Sequence, residues 1–155
     1  MNVSPTLQLV CEFVATLACA LFAGAALYIN LVEHPARMRC GTEPALRQWA
    51  PSYQRATWMQ APLAIVGFVT ALLAWLAGAG TAWLIGGVLL GSVVPFTFIA
   101  IMPTNTRLLA PDLDSHSDTA RNLLQRWNRL HAVRTTLSIV ALMAFLVGDW
   151  NGFGI

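Results

Sequence analysis

From residue 56 to residue 106 the chain reads ATWMQAPLAIVGFVTALLAWLAGAGTAWLIGGVLLGSVVPFTFIAIMPTNT, 51 consecutive positions without a charged side chain. One helix needs about 20 apolar residues to cross a hydrocarbon core, so this stretch holds two crossings. The cluster Gly78-Ala79-Gly80-Thr81 inside it marks the turn between them. The second and third spans are therefore expected near 59–77 and 82–102. Upstream, a run over about 7–31, broken only by Glu12, gives the first span. Downstream, Thr135–Gly148 is uncharged, and it follows a segment where Leu123, Leu124, Trp127, Leu130 and His131 recur at helical spacing. This predicts one long helix that begins amphipathic at the interface, with Asp118 as its N-cap, and enters the bilayer over about 127–148.

The whole composition agrees. Of 155 residues, 57% are hydrophobic and 10% charged, and the mean hydropathy is +0.62. A soluble domain carries about 25% charged residues. The fold class expected is all-α, an integral membrane four-helix bundle in a single domain, with loops over 33–57 and 104–126. The first loop contains a short interfacial amphipathic helix over Glu43–Gln60, with Trp49, Tyr53 and Met59 on one stripe and Pro51 and Pro62 expected to kink it. Met1–Gln8 has no positive charge, so the first run reads as a retained span rather than a cleaved leader.

Nine arginines and no lysine supply the positive charge. Arg37, Arg39, Arg47 and Arg55 lie between spans one and two, and Arg107, Arg121, Arg126, Arg129 and Arg134 between three and four. The positive-inside rule makes those loops cytoplasmic, with the N-terminus out, the C-terminus out, and an inner or plasma membrane as the location. No basic tract carries interleaved aromatics, so nucleic acid is not an expected partner; the lipid bilayer is. Cys11, Cys19 and Cys40 have no metal-site spacing and read as small core residues. Ala20-x-x-x-Gly24 and Gly87-x-x-x-Gly91 have the small-residue spacing that lets helices approach closely.

Polar residues near hydrocarbon are functional candidates. Three clusters fall at one membrane depth: Tyr28-Ile29-Asn30 to Glu33-His34-Pro35, Pro95-Phe96-Thr97 to Pro103-Thr104-Asn105, and Trp127-x3-His131-x2-Arg134. Residues 127, 131 and 134 share one helical face. Pro95 and Pro103 are expected to break or end helix three and free backbone groups at that level. Each residue also has a structural alternative: His34 or Asn105 as a cap, His131 as packing, Arg134 as a snorkelling cation, the tryptophans as an interface belt. Asp112, Asp114, His116 and Asp118 form a loose acidic loop that reads as solvated.

His34-Pro35, Trp49-x3-Tyr53, Pro95-Phe96-Thr97, Pro103-x-Asn105-x-x-Leu108 and Trp127-x3-His131-x2-Arg134 together resemble the anthrone-oxygenase-like family of small four-span membrane proteins, over roughly residues 15–145. The resemblance implies cofactor-free oxidation of a planar phenolic, anthrone-type substrate by O2, through base-assisted carbanion formation. The partners would be a lipophilic small molecule and O2. It assigns His131 as base, Arg134 and Asn105 as oxyanion stabilisers with Tyr28 assisting, and His34 as second base or orienting partner. Trp127, Thr97, Trp49 and Tyr53 would contact substrate. An imidazole titrates near neutrality, which suits the base. The alternatives left open are a metal or haem held by His34 and His131, a non-catalytic scaffold or partner subunit, and a small transporter that would work as a homo-oligomer.

Overall fold

Ser4 is extended, and its hydroxyl accepts the backbone N–H of Leu7 at 3.2 Å, with Pro5 in the first turn. That is an N-cap followed by the residue whose missing N–H costs nothing there. It starts α1 (Pro5–Tyr28) of a computed structural model that describes residues 4–152. After α1 come one π turn (Ile29–Glu33) and α2 (His34–Arg39), coaxial in one rod. Cys40-Gly41 then reverses the chain, Gly41 taking a φ of 102°. The second rod is α3 (Thr42–Leu76). The third joins α4 (Thr81–Phe96), a second π turn (Thr97–Ile101) and α5 (Met102–Leu108). The fourth is α6 (Asp118–Gly152). No strand occurs among the described residues.

All four rods are long and apolar enough to cross a membrane. At about 1.5 Å per residue, a 35-residue rod spans roughly 50 Å and overreaches the roughly 30 Å hydrocarbon core. Large apolar side chains cover their outer faces: Ile99 is 78% exposed and Phe13 68%. Such a surface suits lipid, not water. The rods close a ring in which α1 packs on α3 and α6, and α4 packs on the same two.

Two cores stack along the ring. The one toward the Gly78–Thr81 turn is a seam of small residues, Ala15, Ala64, Ala71 and Ala141, around Phe22, Trp83 and Phe145. Backbones approach closely there: a Cβ on Gly87 would meet the Ala71 Cβ at 3.0 Å, and one on Gly86 the Phe145 ring at 2.5 Å. Gly86→Ala should therefore destabilise the bundle by about 1–3 kcal/mol through overpacking. Gly24→Ala, with nothing within 4 Å, should be neutral or slightly stabilising. Thermal unfolding of the two variants in one detergent checks the contrast. Gly24 thus takes no part in the close packing that its spacing suggested. Cys11 and Cys19 are core residues, whereas Cys40 is exposed.

The second core, toward Cys40-Gly41, gathers Ile29, Trp49, Ile101, Leu108, Leu124 and Trp127. Several expectations change here. The amphipathic helix expected over Glu43–Gln60 runs unbroken into the second span as the first half of α3, but its Trp49 is fully buried rather than interfacial. Pro51 and Pro62 lie within that helix and do not interrupt it. Pro95 and Pro103 do not end the third rod either. Pro35 and Pro103 each follow a π turn by two residues, and that wider turn accommodates the carbonyl which a proline ring would strike. Asn105 lies inside α5 rather than capping it. At the start of α6 it is Ser117, not Asp118, whose side chain accepts a backbone N–H, that of Ala120 at 3.2 Å. The segments 33–57 and 104–126 are helical over most of their length.

Candidate active site

The π turn in the first rod decides what faces inward. Buried positions run Ala26, Ile29, His34, Arg37, with one step of five residues where an α-helix would give three or four. That extra residue lets Asn30 and His34 both reach the second core. From the facing rod, α6 presents Trp127, His131 and Arg134 on one stripe.

Trp127 is the common neighbour. Its indole lies 4.8 Å from the His131 ring and 5.7 Å from the His34 ring, centroid to centroid. Trp49 meets it edge-on at 5.8 Å and stacks on Tyr53 at 5.2 Å, nearly parallel. Arg134 donates to Gln60 Oε1 at 3.0 Å and lies 5.3 Å from the centre of the Phe22 ring. Between these groups is a small enclosed chamber of about 20 Å³, walled by Arg37, Tyr53, Gln60, Trp127, His131 and Arg134 among others. It has room for a guest of no more than a few heavy atoms.

His131 is held in one tautomer. Asn30 Nδ2 donates to the backbone carbonyl of Asn128 at 3.0 Å and to its side-chain oxygen at 2.7 Å. A backbone carbonyl only accepts, so this fixes which end of the Asn30 amide is nitrogen. Asn30 Oδ1 then faces His131 Nδ1 at 3.0 Å and also accepts from the Thr135 hydroxyl. An amide oxygen requires Nδ1 to carry the proton, which leaves Nε2 with its lone pair free. The imidazole is thereby fixed in orientation, on a side chain only 1% exposed.

A second network joins the first rod to α3. Glu33 accepts from Arg37, from Ser52 at 2.6 Å and from Gln48 at 2.9 Å. Glu33 and Ser52 also line a wide lateral cleft of about 560 Å³ with Tyr28, Pro51, Arg55 and Met59. Cleft and chamber share Ile29, Ser52 and Ala56 as a partition. On the opposite side, Thr97 lines a pocket of about 90 Å³ that shares Tyr53, Thr57 and Arg134 with the chamber.

Of the residues selected from the sequence, His131, Arg134, Trp127 and Tyr53 meet around the chamber. Trp49 and His34 contact Trp127 without lining it. Tyr28, 55% exposed, belongs to the cleft, and Thr97, whose hydroxyl donates to the Val93 carbonyl, belongs to the third pocket. Asn105 is buried on the face of α5 between Ile101 and Leu108, with neither amide atom partnered. Arg37, Gln60, Asn30, Asn128 and Thr135 were not selected. Asn30 and Gln60 were visible as amides in apolar surroundings, but their partners lie 74 to 105 positions away. Among the described residues, no group of three or more His, Cys, Asp or Glu could hold a metal ion.

Comparison with known proteins identifies the family. The family model described as anthrone oxygenase matches residues 49–144. An anthrone oxygenase of Claviceps purpurea is 26% identical over 149 residues, covering 85% of each chain. The anthrone oxygenase tpcL of Aspergillus fumigatus is 26% identical, with 90% of this chain and 91% of the relative covered. The anthrone oxygenase ptaC of Pestalotiopsis fici is 30% identical over 136 residues, 76% of this chain and 95% of its own. No solved structure matches. The matched segment holds Trp49, Gln60, Asn105, Trp127, His131 and Arg134, and with it the chain belongs to the anthrone oxygenase family.

Proposed function

We propose that the protein oxidises a planar, phenolic, anthrone-type substrate with O2, without a cofactor, the substrate lying in the lateral cleft with its reacting edge reaching His131 of the adjoining chamber past Ile29, Ser52 and Ala56. The observation that carries this reading is the His131 tautomer, which leaves Nε2 as a proton acceptor beside Arg134. The benzylic hydrogen of an anthrone is acidic because the anion formed is an aromatic phenolate. His131 takes that proton, and Arg134 stabilises the developing oxyanion. Asn105, whose buried amide has no partner and lies one helical turn from Ile101 of the chamber wall, is the second donor in this reading. The electron-rich anion passes one electron to O2, and the radical and superoxide combine into a C–O bond. The peroxide anion is protonated by the imidazolium. Loss of the second benzylic proton breaks the O–O bond, giving a carbonyl and one water, so that ArCH2Ar and O2 become ArC(=O)Ar and H2O.

The lateral cleft has the volume of a site for a drug-sized ligand. It faces outward between α1 and α3, where a lipophilic substrate can enter from the bilayer, and it adjoins the chamber. Tyr28, in the wall of this cleft, offers a flat aromatic face for the ring system. The arginines gather at the end of the bundle holding Cys40-Gly41 and the 109–117 loop, which supports an orientation with that end cytoplasmic and both termini outside.

The test is oxygen uptake by purified, metal-analysed protein given an anthrone under 18O2, with the spontaneous oxidation rate as blank. One labelled oxygen in the quinone, formed above the blank and lost in His131→Ala, is the expected result. Equal rates for wild type, variant and blank would overturn the reading and favour a scaffold. Stoichiometric metal or haem would make His34 and His131 ligands instead.

A further inference from the structure

We propose that the chamber is a binding site for a small monoanion of two or three heavy atoms. The argument comes from what its walls leave unpaired. Arg37 Nε and Nη1, Gln60 Nε2, Trp127 Nε1 and Arg134 Nε are all buried and have no hydrogen-bond partner. These five atoms sit on four residues that line one chamber, and every one of them is an N–H donor. Buried donors are nearly always satisfied in proteins, so such a cluster signals a missing acceptor. Arg37 is 6% exposed and Gln60 1%.

The charges point the same way. Arg37 is paired with Glu33, but among the described residues no carboxylate lies within 4 Å of Arg134. Its neighbours are the neutral Gln60 and the Phe22 ring. No acidic residue lines the chamber. A buried cation without a counter-charge is costly, and an anion in the chamber would supply it. The volume, about 20 Å³, limits the guest to a few atoms and excludes a phosphate monoester or a carboxylated ring.

On the oxygenase reading, the guest is the superoxide formed when the substrate anion reduces O2. Arg37 and Arg134 would favour that electron transfer by binding its product, and would hold the superoxide until it joins the radical. This last assignment rests on the proposed function; the anion site itself does not.

Azide is the probe. Thermal unfolding in detergent is followed while sodium azide replaces sodium gluconate at constant ionic strength. The wild-type midpoint should rise saturably with azide, as for any ligand that binds only the folded state. Gln60→Glu places a carboxylate beside Arg134 as an internal counter-charge. It should weaken the azide response at least tenfold, and Arg37→Gln should weaken it by a different route. No azide-dependent shift in wild type, or an undiminished one in Gln60→Glu, would overturn the site. Asn30→Leu, at a residue outside the chamber wall, should lower oxygenation yet retain the azide response, which separates the two readings. If azide saturates the wild type but leaves oxygen uptake unchanged, the superoxide assignment falls.

Discussion

Replacing His131 by alanine is expected to lower anthrone-dependent oxygen uptake by about 10²–10⁴-fold, the usual contribution of a positioned general base. The size follows from the geometry. Among the residues lining the chamber, the only other ionisable side chains are Arg37, Arg134 and Tyr53, and none of these is a base at neutral pH. Water entering the enlarged chamber could accept the proton, but weakly. The fold should survive, because Thr135 and Asn128 still bond Asn30 after the imidazole is removed. The check is initial oxygen consumption in detergent, corrected for spontaneous oxidation, on protein whose helical content and elution match wild type. A variant as active as wild type would remove His131 from the reaction. His34→Ala should cost less, since His34 reaches the chamber only through Trp127.

The fold was legible because its signal is coarse. The uncharged run over 56–106 has room for two crossings and little else, and the glycines at 78 and 80 leave one place for the turn. Helix extent was harder. Hydropathy reports where lipid begins, not where a helix begins, so the part of α3 before Met59 looked like a surface helix lying in the headgroups. Its apolar stripe instead packs on the second core, where Trp49 meets Trp127. Proline is hard to read from sequence for a related reason. A lone proline is read as a break, yet a π turn two residues upstream absorbs it at Pro35 and Pro103. The same turns rotate the downstream side chains, and no hydrophobic period reveals that rotation.

The site divides in the same way. Trp127, His131 and Arg134 share a face by simple helical spacing, so their convergence was readable from α6 alone. What α6 does not contain is its support. Asn30, Gln60 and Arg37 come from other rods, and their roles arise only when the ring closes. Arg37 looked like one of four loop arginines, but the π turn carries it inward to 6% exposure. Asn30 stands in the first polar cluster and Gln60 inside the uncharged run, but neither amide's partner can be read from its own helix. A primary amide in a membrane helix seldom stays unpaired, because hydrocarbon offers it no partner.

Asn30→Leu should therefore produce the second large effect, about 10–100-fold on kcat with little change in KM. Asn30 does not touch the chamber; it positions His131. Leucine has similar volume but cannot accept from His131 Nδ1 or Thr135, nor donate to Asn128. The imidazole is then free to rotate or to adopt the tautomer in which Nε2 carries the proton and cannot act as a base. Each buried group left unpaired also costs about 1–3 kcal/mol, so the midpoint of unfolding should fall. Stability loss alone would not change the tautomer, and this separates the two causes. In 15N-histidine NMR the wild type should show a pyrrole-type Nδ1 and a pyridine-type Nε2 for His131, and Asn30→Leu should show a mixture. Asn30→Asp keeps an oxygen facing Nδ1 and should preserve the wild-type tautomer and most of the rate. It would still lose stability, because a carboxylate oxygen then faces the Asn128 carbonyl. If Asn30→Leu kept the wild-type spectrum and lost only stability, the amide would be a structural tie between α6 and the first rod. The orientation of the base would then have to come from its contact with the Trp127 ring.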